Sequence, residues 1–320
     1  MSTTAGCLRI LGKNAMMRHS LALLLVLSTT AASAQQPQTP QFGVEIEVIN
    51  LTVSVTDNRS RYVTDLKTDD FAIFEDGVKQ ELSIFRHDDI PISLALVVDT
   101  SASMDEKLPV AQQAASRFIK TLRPQDQAQV MQFNDRTTTL QDFTADHKAL
   151  EEAVHRTQAS GPTALHNALY VALKDLVKQK KATELRRRAI VLLSDGEDTA
   201  SLVSDEQVLE LARKSEIAIY SISLRPNRVA ERNRQQFSQA THLLTALSRE
   251  TGGQVYFPNS LSELDTVYDR IAEELRTQYS LGYVSSNIRR DGKWRRVVVR
   301  TPSREGLQVR HKIGYYAPRS

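Results

Sequence analysis

Cysteine is almost absent from this sequence: Cys7 is the only one among 320 residues, and it lies in an N-terminal stretch that we predict to be removed. A mature chain without cysteine can form neither a disulfide nor a thiolate metal site, and it is compatible with an oxidising compartment. The seven histidines form no H-x-x-H or H-E-x-x-H pattern, which argues against a histidine-ligated zinc site. The sequence also lacks a G-x-S-x-G motif, the nucleophile elbow of many hydrolases.

Long hydrophobic runs are missing as well. The run Leu21–Leu27 (LALLLVL) is well short of the roughly 20 apolar residues that a membrane span needs. It follows Arg18 and precedes an A-x-A cleavage pattern at residues 32–34. We therefore predict a secretory signal peptide over residues 1–34, followed by a linker over 35–43. The mature protein is expected to be exported to the periplasm, the cell surface or the medium, without a transmembrane segment.

An excess of charge of one sign is also lacking once this leader is removed. The whole chain has 41 basic and 38 acidic residues, and the leader contributes three of the basic ones (Arg9, Lys13 and Arg18) and no acidic one. The mature chain thus has 41 − 3 = 38 basic residues against 38 acidic ones. A balanced chain gives no support to a nucleic-acid partner. The hydrophobic content of 41% is that of a soluble globular protein.

Three stretches of the chain differ in their hydrophobic pattern. Residues 44–90 alternate polar and apolar residues around turn pairs such as Asp76-Gly77, which is typical of β-strands and a hairpin. Residues 91–277 alternate apolar runs such as LALVV and AIVLL with amphipathic stretches, which predicts a doubly wound α/β domain with helices on both faces of a mainly parallel sheet. Residues 278–317 return to β patterning, and residues 225–240 form a polar excursion predicted to be a surface loop or short helix.

Neither β segment has enough strands to bury both of its faces alone. We therefore predict that residues 44–90 and 278–317 pair into one small sandwich-like domain, with the α/β domain of residues 91–277 inserted between them. Two separate small β units are the alternative interpretation.

The motif Asp99-x-Ser101-x-Ser103 directly follows the apolar strand LALVV. In an open α/β sheet, ligands bind at the carboxyl ends of the strands, which is where this motif is expected to lie. A carboxylate and two hydroxyls at alternate positions can converge on a small hard cation. Helix capping by the same side chains is the alternative.

Two further loops are predicted to lie at the same edge of the sheet. Thr163 lies at a loop-to-helix junction in the segment SGPT, and Asp195 follows the apolar strand AIVLL. All five side chains offer oxygen atoms, and a set of oxygens alone suits Mg²⁺, Mn²⁺ or Ca²⁺ rather than zinc. The predicted metal ligands are Asp99, Ser101, Ser103, Thr163 and Asp195.

This set of residues resembles the metal-ion-dependent adhesion site of von Willebrand factor A (VWA) domains. The order of strands and helices over residues 92–276 resembles that family too, and the β flanks resemble the bacterial group of VWA-related proteins of the acidobacterial type. Gly161-Pro162-Thr163 stands where many relatives have Gly-Gly-Thr. The resemblance implies that Ser101 and Ser103 bind the ion directly and Thr163 directly or through water. It implies that Asp99 and Asp195 act mainly through bound water.

The resemblance also implies a function. The ion would accept a carboxylate from a partner protein, so the expected function is non-enzymatic, metal-dependent recognition of a protein with an exposed acidic residue. A structural role in an envelope assembly with a vestigial metal site is one alternative. A hydrolase with Ser101 or Ser103 as nucleophile is another, although it would need a general base and an oxyanion hole.

Overall fold

In the computed structural model, the described residues are 48–87, 90–179, 185–195, 198–224 and 234–319, with the backbone alone described for 234–240. The predicted signal peptide and linker, and residues 225–233 of the polar excursion, lie outside this part of the chain. All the described residues belong to one compact unit.

The strands of the described residues form three sheets. They are β1 Val48–Thr56, β2 Ala72–Glu75, β3 Val78–Gln80, β4 Leu82–Arg86, β5 Ile92–Asp99, β6 Gln127–Phe133, β7 Thr137–Thr144, β8 Arg187–Ser194, β9 Ile217–Ser223, β10 Val255–Tyr256, β11 Tyr279–Val284, β12 Trp294–Arg300, β13 Gln308–Arg310 and β14 Gly314–Tyr316. The largest sheet has the order β10-β9-β8-β5-β6-β7, and its strands are parallel except for the antiparallel edge strand β7.

Helices cover both faces of this sheet. The described α-helices are α1 Leu108–Lys120, α2 His147–His155, α3 Leu165–Lys178, α4 Asp205–Lys214, α5 Arg234–Thr251 and α6 Leu264–Thr277. Successive residues of β5 point to opposite faces: Leu94 and Leu96 pack in the core with α1, α2 and α6, whereas Ala95 and Val97 pack in the core with α3 and α4. A strand buried on both sides needs apolar residues at consecutive positions, which explains runs such as LALVV. The predicted α/β fold class is confirmed.

The point where the connections change direction lies between β5 and β8. From β5 the chain crosses to β6 on one side, whereas β8 lies on the other side and leads on to β9 and β10. Loops at such a point diverge from the sheet and leave a crevice at the carboxyl ends of the two strands. Asp99 ends β5 and Ser194 ends β8, so both residues lie at this crevice.

The β segments on either side of the α/β region form two antiparallel four-stranded sheets. Their orders are β13-β1-β11-β4 and β14-β12-β2-β3, so each sheet contains strands from both segments. Their shared core includes Val53, Ile73, Leu281 and Val299. The predicted boundaries near residues 90 and 277 fall between β4 and β5 and between α6 and β11. Within the described residues, no helix is both long and apolar enough to cross a membrane.

Three features of the strands do not follow from the local pattern. The segments KQELSIF and LQVRHKIGYY each contain two strands, and the two strands belong to different sheets. A strand at a corner of two packed sheets can leave one sheet and join the other, and the alternating pattern does not reveal that break. The third feature is the edge strand β7, whose sequence TTTLQDFT is polar because this strand is only partly buried.

Candidate functional site

Asp99, at the end of β5, is hydrogen-bonded to Ser194, at the end of β8. Its side chain is fully buried, and its Oδ2 accepts a hydrogen bond of 2.6 Å from the Ser194 hydroxyl. Its Oδ1 accepts a bond of 2.9 Å from the backbone N–H of Ser101. Burial raises the pKa of Asp99, and the negative charge of Asp195 acts in the same direction, against the two hydrogen bonds. The cost of keeping this carboxylate charged would fall if a cation bound nearby.

Ser101 and Ser103 place two hydroxyls next to this carboxylate. Their Oγ atoms lie 3.1 Å apart, with Ser101 buried and Ser103 exposed to solvent. The short 3₁₀ turn Ala102–Met104 holds them, because its buried Met104 anchors the turn in the core. The two hydroxyls are therefore adjacent, with Ser103 on the solvent side.

The loop that carries Thr163 is bound to the Ser101 loop by two backbone hydrogen bonds. The N–H of Ala102 donates to the carbonyl of Gly161 at 2.9 Å, and the N–H of Ser160 donates to the carbonyl of Thr100 at 2.8 Å. Gly161 has a φ of +72°, in the left-handed region that favours glycine. These bonds bring Thr163 to the same edge of the sheet as the D-x-S-x-S motif.

Thr199, on the loop after β8, fixes the position of Thr163. The N–H of Thr199 and that of Ala200 donate to the Thr163 carbonyl at 2.8 Å and 3.0 Å, and the Thr163 N–H donates to the Thr199 hydroxyl at 3.1 Å. Thr163 is buried, and within the described residues no hydrogen bond engages its side-chain hydroxyl. Its backbone is thus satisfied without using the predicted ligand atom.

Among the described residues, one oxygen of Asp195 has a partner and the other has none. Its Oδ2 accepts a hydrogen bond of 3.1 Å from the Lys107 ammonium, which also forms an ion pair with it. Its Oδ1 is buried and has no hydrogen-bond partner in the described part of the chain. A buried carboxylate oxygen without a partner is costly, so this atom calls for a water molecule or a cation that side chains do not supply. A hard divalent ion would supply the positive charge that this oxygen lacks, so the residues present fit such an ion.

The donors at this edge are oxygens only. The described residues hold no group of three or more His, Cys, Asp or Glu side chains that could bind a metal, so a cation at this edge would depend on the hydroxyls as well as on the two carboxylates. Contacts tie Asp99, Ser101 and Ser103 together directly, whereas Thr163 and Asp195 join them through their loops. Such a hydroxyl-rich set suits Mg²⁺ or Mn²⁺, and the direct ligands of a bound ion would be mostly neutral.

Sequence reasoning missed two residues of this site. Lys107 lies eight positions after Asp99, and no local pattern pairs it with Asp195, which is 88 positions away. Ser194 directly precedes Asp195, and its place at the end of a buried strand was a signal that could have assigned it to the site.

A family model matches part of the α/β region. Residues 94–197 match the family model described as "von Willebrand factor type A domain", and this stretch contains Asp99, Ser101, Ser103, Thr163 and Asp195. The chain contains a VWA domain. VWA domains mediate protein interactions, so the chain carries a protein-interaction module.

Two relatives of known sequence match this chain at low identity or over a short stretch. A UPF0353 protein of Nocardia farcinica is 25% identical over 225 residues, which cover 60% of this chain and 66% of the relative. The uncharacterized protein sll0103 of Synechocystis is 32% identical over 112 residues, which cover 34% of this chain and 26% of the relative. The matches thus span just under two thirds of the first relative and about a quarter of the second.

A solved structure shows the same fold over a longer stretch. The von Willebrand factor type A structure from Catenulispora acidiphila aligns with a TM-score of 0.50 and 13% identity, covering 87% of this chain and 76% of that one. The narrower assignment to the acidobacterial-type group stays a prediction.

Proposed function

We propose that this protein is an exported, non-enzymatic module that binds a protein partner through a divalent cation. In this proposal the cation, Mg²⁺ or alternatively Mn²⁺ or Ca²⁺, is held by Asp99, Ser101, Ser103, Thr163 and Asp195. The partner contributes an exposed acidic residue.

The Oδ1 of Asp195, which is buried and has no hydrogen-bond partner among the described residues, is the observation that supports this proposal most strongly. A helix-capping or turn-forming aspartate would use its oxygens on backbone N–H groups, as Asp146 does with two N–H groups at the start of α2. Within the part of the chain that the structure describes, Asp195 instead leaves one oxygen without a partner, and the charge of the nearby Asp99 carboxylate raises the cost of this arrangement. A structural element with a vestigial site would have no need for this pair of buried carboxylates.

The hydroxyl ligands explain the choice of an acidic partner. Ser101 and Ser103 would bind the ion directly, whereas both Asp99 oxygens already accept hydrogen bonds and are suited to orienting bound water. Neutral direct ligands leave the ion electron-poor, so that it supplies a Lewis-acidic position for a carboxylate from outside. Recognition of an acidic side chain follows from this charge imbalance.

The contacts of the serines argue against a hydrolase. Ser101 Oγ contacts Ser103 Oγ, and within the described residues neither hydroxyl contacts a histidine. His166 directs its Nδ1 to the carbonyl of Val203 at 3.2 Å instead. The contact between Ser116 and His155, at 3.4 Å, joins α1 to α2 and lies away from the crevice. A nucleophile needs a base within hydrogen-bond reach, which these contacts do not provide.

Export rests on the signal peptide predicted over residues 1–34. The absence of cysteine from the mature chain is compatible with an oxidising compartment outside the cytoplasm.

Cation-dependent capture tests the proposal. The immobilised mature protein is exposed to native envelope extract in Mg²⁺, in EDTA, and in EDTA followed by Mg²⁺. We expect one or a few proteins to bind in Mg²⁺, to be released by EDTA and to rebind when Mg²⁺ returns.

The matched control is the double variant Ser101→Ala/Ser103→Ala, which removes both proposed direct ligands and should capture none of these proteins. Replacing acidic residues of a captured protein by their amides should then abolish its binding. Capture that is equally strong in EDTA, or equally strong with the double variant, would rule out recognition through the cation.

A further inference from the structure

We infer that Lys107 is a resident counter-cation that competes with the divalent ion for Asp195 and, once displaced, strengthens the binding of an anionic partner group. This inference rests on the proposed function and concerns the regulation of the same site. It assigns to Lys107 two effects of opposite sign: weaker cation binding, and tighter binding of a carboxylate after the cation has bound.

The Lys107 ammonium is well placed to neutralise Asp195. Its Nζ lies 3.1 Å from Asp195 Oδ2, and the side chain of Asp195 is only 5% exposed against 28% for that of Lys107. A charge-assisted hydrogen bond to a nearly buried carboxylate is stronger than an ion pair on the surface, where solvent screens both charges. The Lys107 ammonium therefore offsets the negative charge of Asp195.

The backbone of Lys107 is fixed to the loop that carries the serines. Its N–H donates to the Met104 carbonyl at 2.9 Å, and the Met104 N–H donates to the Ser101 carbonyl at 2.9 Å. The lysine then immediately precedes α1, so its main chain moves with the turn that holds Ser101 and Ser103. Because four flexible carbons separate this fixed backbone from the ammonium, the side chain can leave Asp195 without a rearrangement of the loop.

The charges at the crevice explain both the weaker binding of the cation and the tighter binding of the carboxylate. Among the described residues, Asp99 and Asp195 bring two negative charges to the crevice, and Lys107 brings one positive charge. Nearby Asp198 is engaged with α3, since its Oδ1 accepts hydrogen bonds from the His166 N–H and the Ser201 hydroxyl. A divalent ion alone would balance the two carboxylates, so the lysine leaves one positive charge in excess. That excess opposes entry of the cation and favours a carboxylate from a partner.

This arrangement makes the two binding events cooperative. Without an anion the lysine keeps the affinity for the cation low, whereas a partner carboxylate balances the excess charge and holds the ion in place. Because coupling free energies are reciprocal, cation binding and carboxylate binding should strengthen each other by the same factor.

The test uses the mature protein, with Mn²⁺ as the cation and acetate as the carboxylate probe. Lys107→Met removes the charge and keeps a long unbranched side chain, and Lys107→Arg keeps the charge. Lys120→Met removes a charge at the far end of α1, where Lys120 is 63% exposed and pairs with Glu151. Free Mn²⁺ is followed by electron paramagnetic resonance, and the affinity of the Mn²⁺-loaded protein for acetate is measured by calorimetry.

We expect Lys107→Met to bind Mn²⁺ about tenfold more tightly than wild type, because a charge-assisted hydrogen bond contributes roughly that factor. Its affinity for acetate in the presence of Mn²⁺ should fall, whereas Lys107→Arg and Lys120→Met should stay close to wild type in both measurements. A merely structural lysine would weaken both affinities together.

The outcomes separate this inference from the proposed function. Mn²⁺ binding by Lys107→Met that is equal to or weaker than that of wild type overturns the inference and leaves the cation site standing. Tighter Mn²⁺ binding with unchanged acetate binding overturns the second of the two effects. If none of the folded proteins binds Mn²⁺, the proposed function itself is wrong, and the inference falls with it.

Discussion

Asp99→Asn is expected to weaken Mn²⁺ and Mg²⁺ binding by about 100-fold while the protein stays folded, since loss of a residue that orients metal ligands typically costs about 10–100-fold and here a negative charge is lost as well. The amide keeps the size of the side chain. Its oxygen can still accept from the Ser101 N–H, and its NH₂ group can donate to the Ser194 hydroxyl. The change therefore removes the charge and keeps the hydrogen bonds.

The same variant should be at least as stable as wild type in EDTA, because burial raises the pKa of Asp99 and so makes its charged form costly. Saturating Mg²⁺ should stabilise wild type by about 1–3 kcal/mol and should leave Asp99→Asn unchanged. Calorimetric titration and thermal unfolding with and without Mg²⁺ measure the two effects.

Asp126→Asn is the matched control. Asp126 is also buried, but it lies at the opposite end of the sheet, where its Oδ1 accepts from the Ile92 N–H at 2.9 Å and its carboxylate pairs with Arg123. This variant should lose stability and keep the affinity of wild type for Mg²⁺. Equal Mg²⁺ affinity in wild type and Asp99→Asn would show that Asp99 only caps the loop.

Glu274→Ala is expected to lower the free energy of unfolding by about 3–5 kcal/mol, the usual cost of removing one partner from a buried ionic network. Glu274 lies on α6 and is fully buried. It accepts hydrogen bonds from Ser54 at 2.8 Å, from Tyr220 at 2.7 Å and from Arg310 at 2.5 Å. Alanine would leave the guanidinium and both hydroxyls without this acceptor.

The hydrogen bonds of Glu274 connect different sheets, which is why we expect a large loss of stability. Ser54 and Arg310 belong to β1 and β13 of the antiparallel sheets, whereas Tyr220 belongs to β9 of the central sheet. Burial and the neighbouring Glu274 raise the pKa of Tyr220 well above its ordinary value, so the hydroxyl stays protonated and donates. Glu274 thus joins the α/β region to the strands on either side of it in sequence.

Urea denaturation checks this prediction, with Glu273→Ala as control because Glu273 is the exposed neighbour on the same helix. The control should change stability by less than about 0.5 kcal/mol. Glu274→Gln, which can still accept two hydrogen bonds, should fall between the two. A loss of stability in Glu274→Ala no larger than in Glu273→Ala would show that the network does not hold the regions together.

The central sheet could be predicted because its strands obey a simple rule. Strands covered on both faces must be apolar at consecutive positions, and β5 and β8 satisfy this over residues 94–98 and 189–193. Edge strand β7 and the sheet changes at β3–β4 and β13–β14 could not be predicted. Their positions are fixed by contacts with strands far away in sequence, and not by local pattern.

The candidate site also contains residues that local sequence identifies and one residue that it does not. Asp99, Ser101 and Ser103 were found because strand ends and local spacing identify them, and Thr163 and Asp195 because their loops follow from the predicted strand order and the family resemblance. Lys107 was missed because its contact with Asp195 depends on how far α1 lies from the end of β8, a distance set by packing in three dimensions.

Diffraction from crystals of the mature protein grown with Mn²⁺ tests the central claim most directly, because anomalous scattering locates the ion. The account predicts one peak within about 2.5 Å of the Ser101 and Ser103 hydroxyls, on the side of Thr163 and Asp195, and no such peak in crystals grown with EDTA. Full Mn²⁺ saturation in solution with no anomalous density among these five residues, or with density elsewhere in the chain, would contradict it.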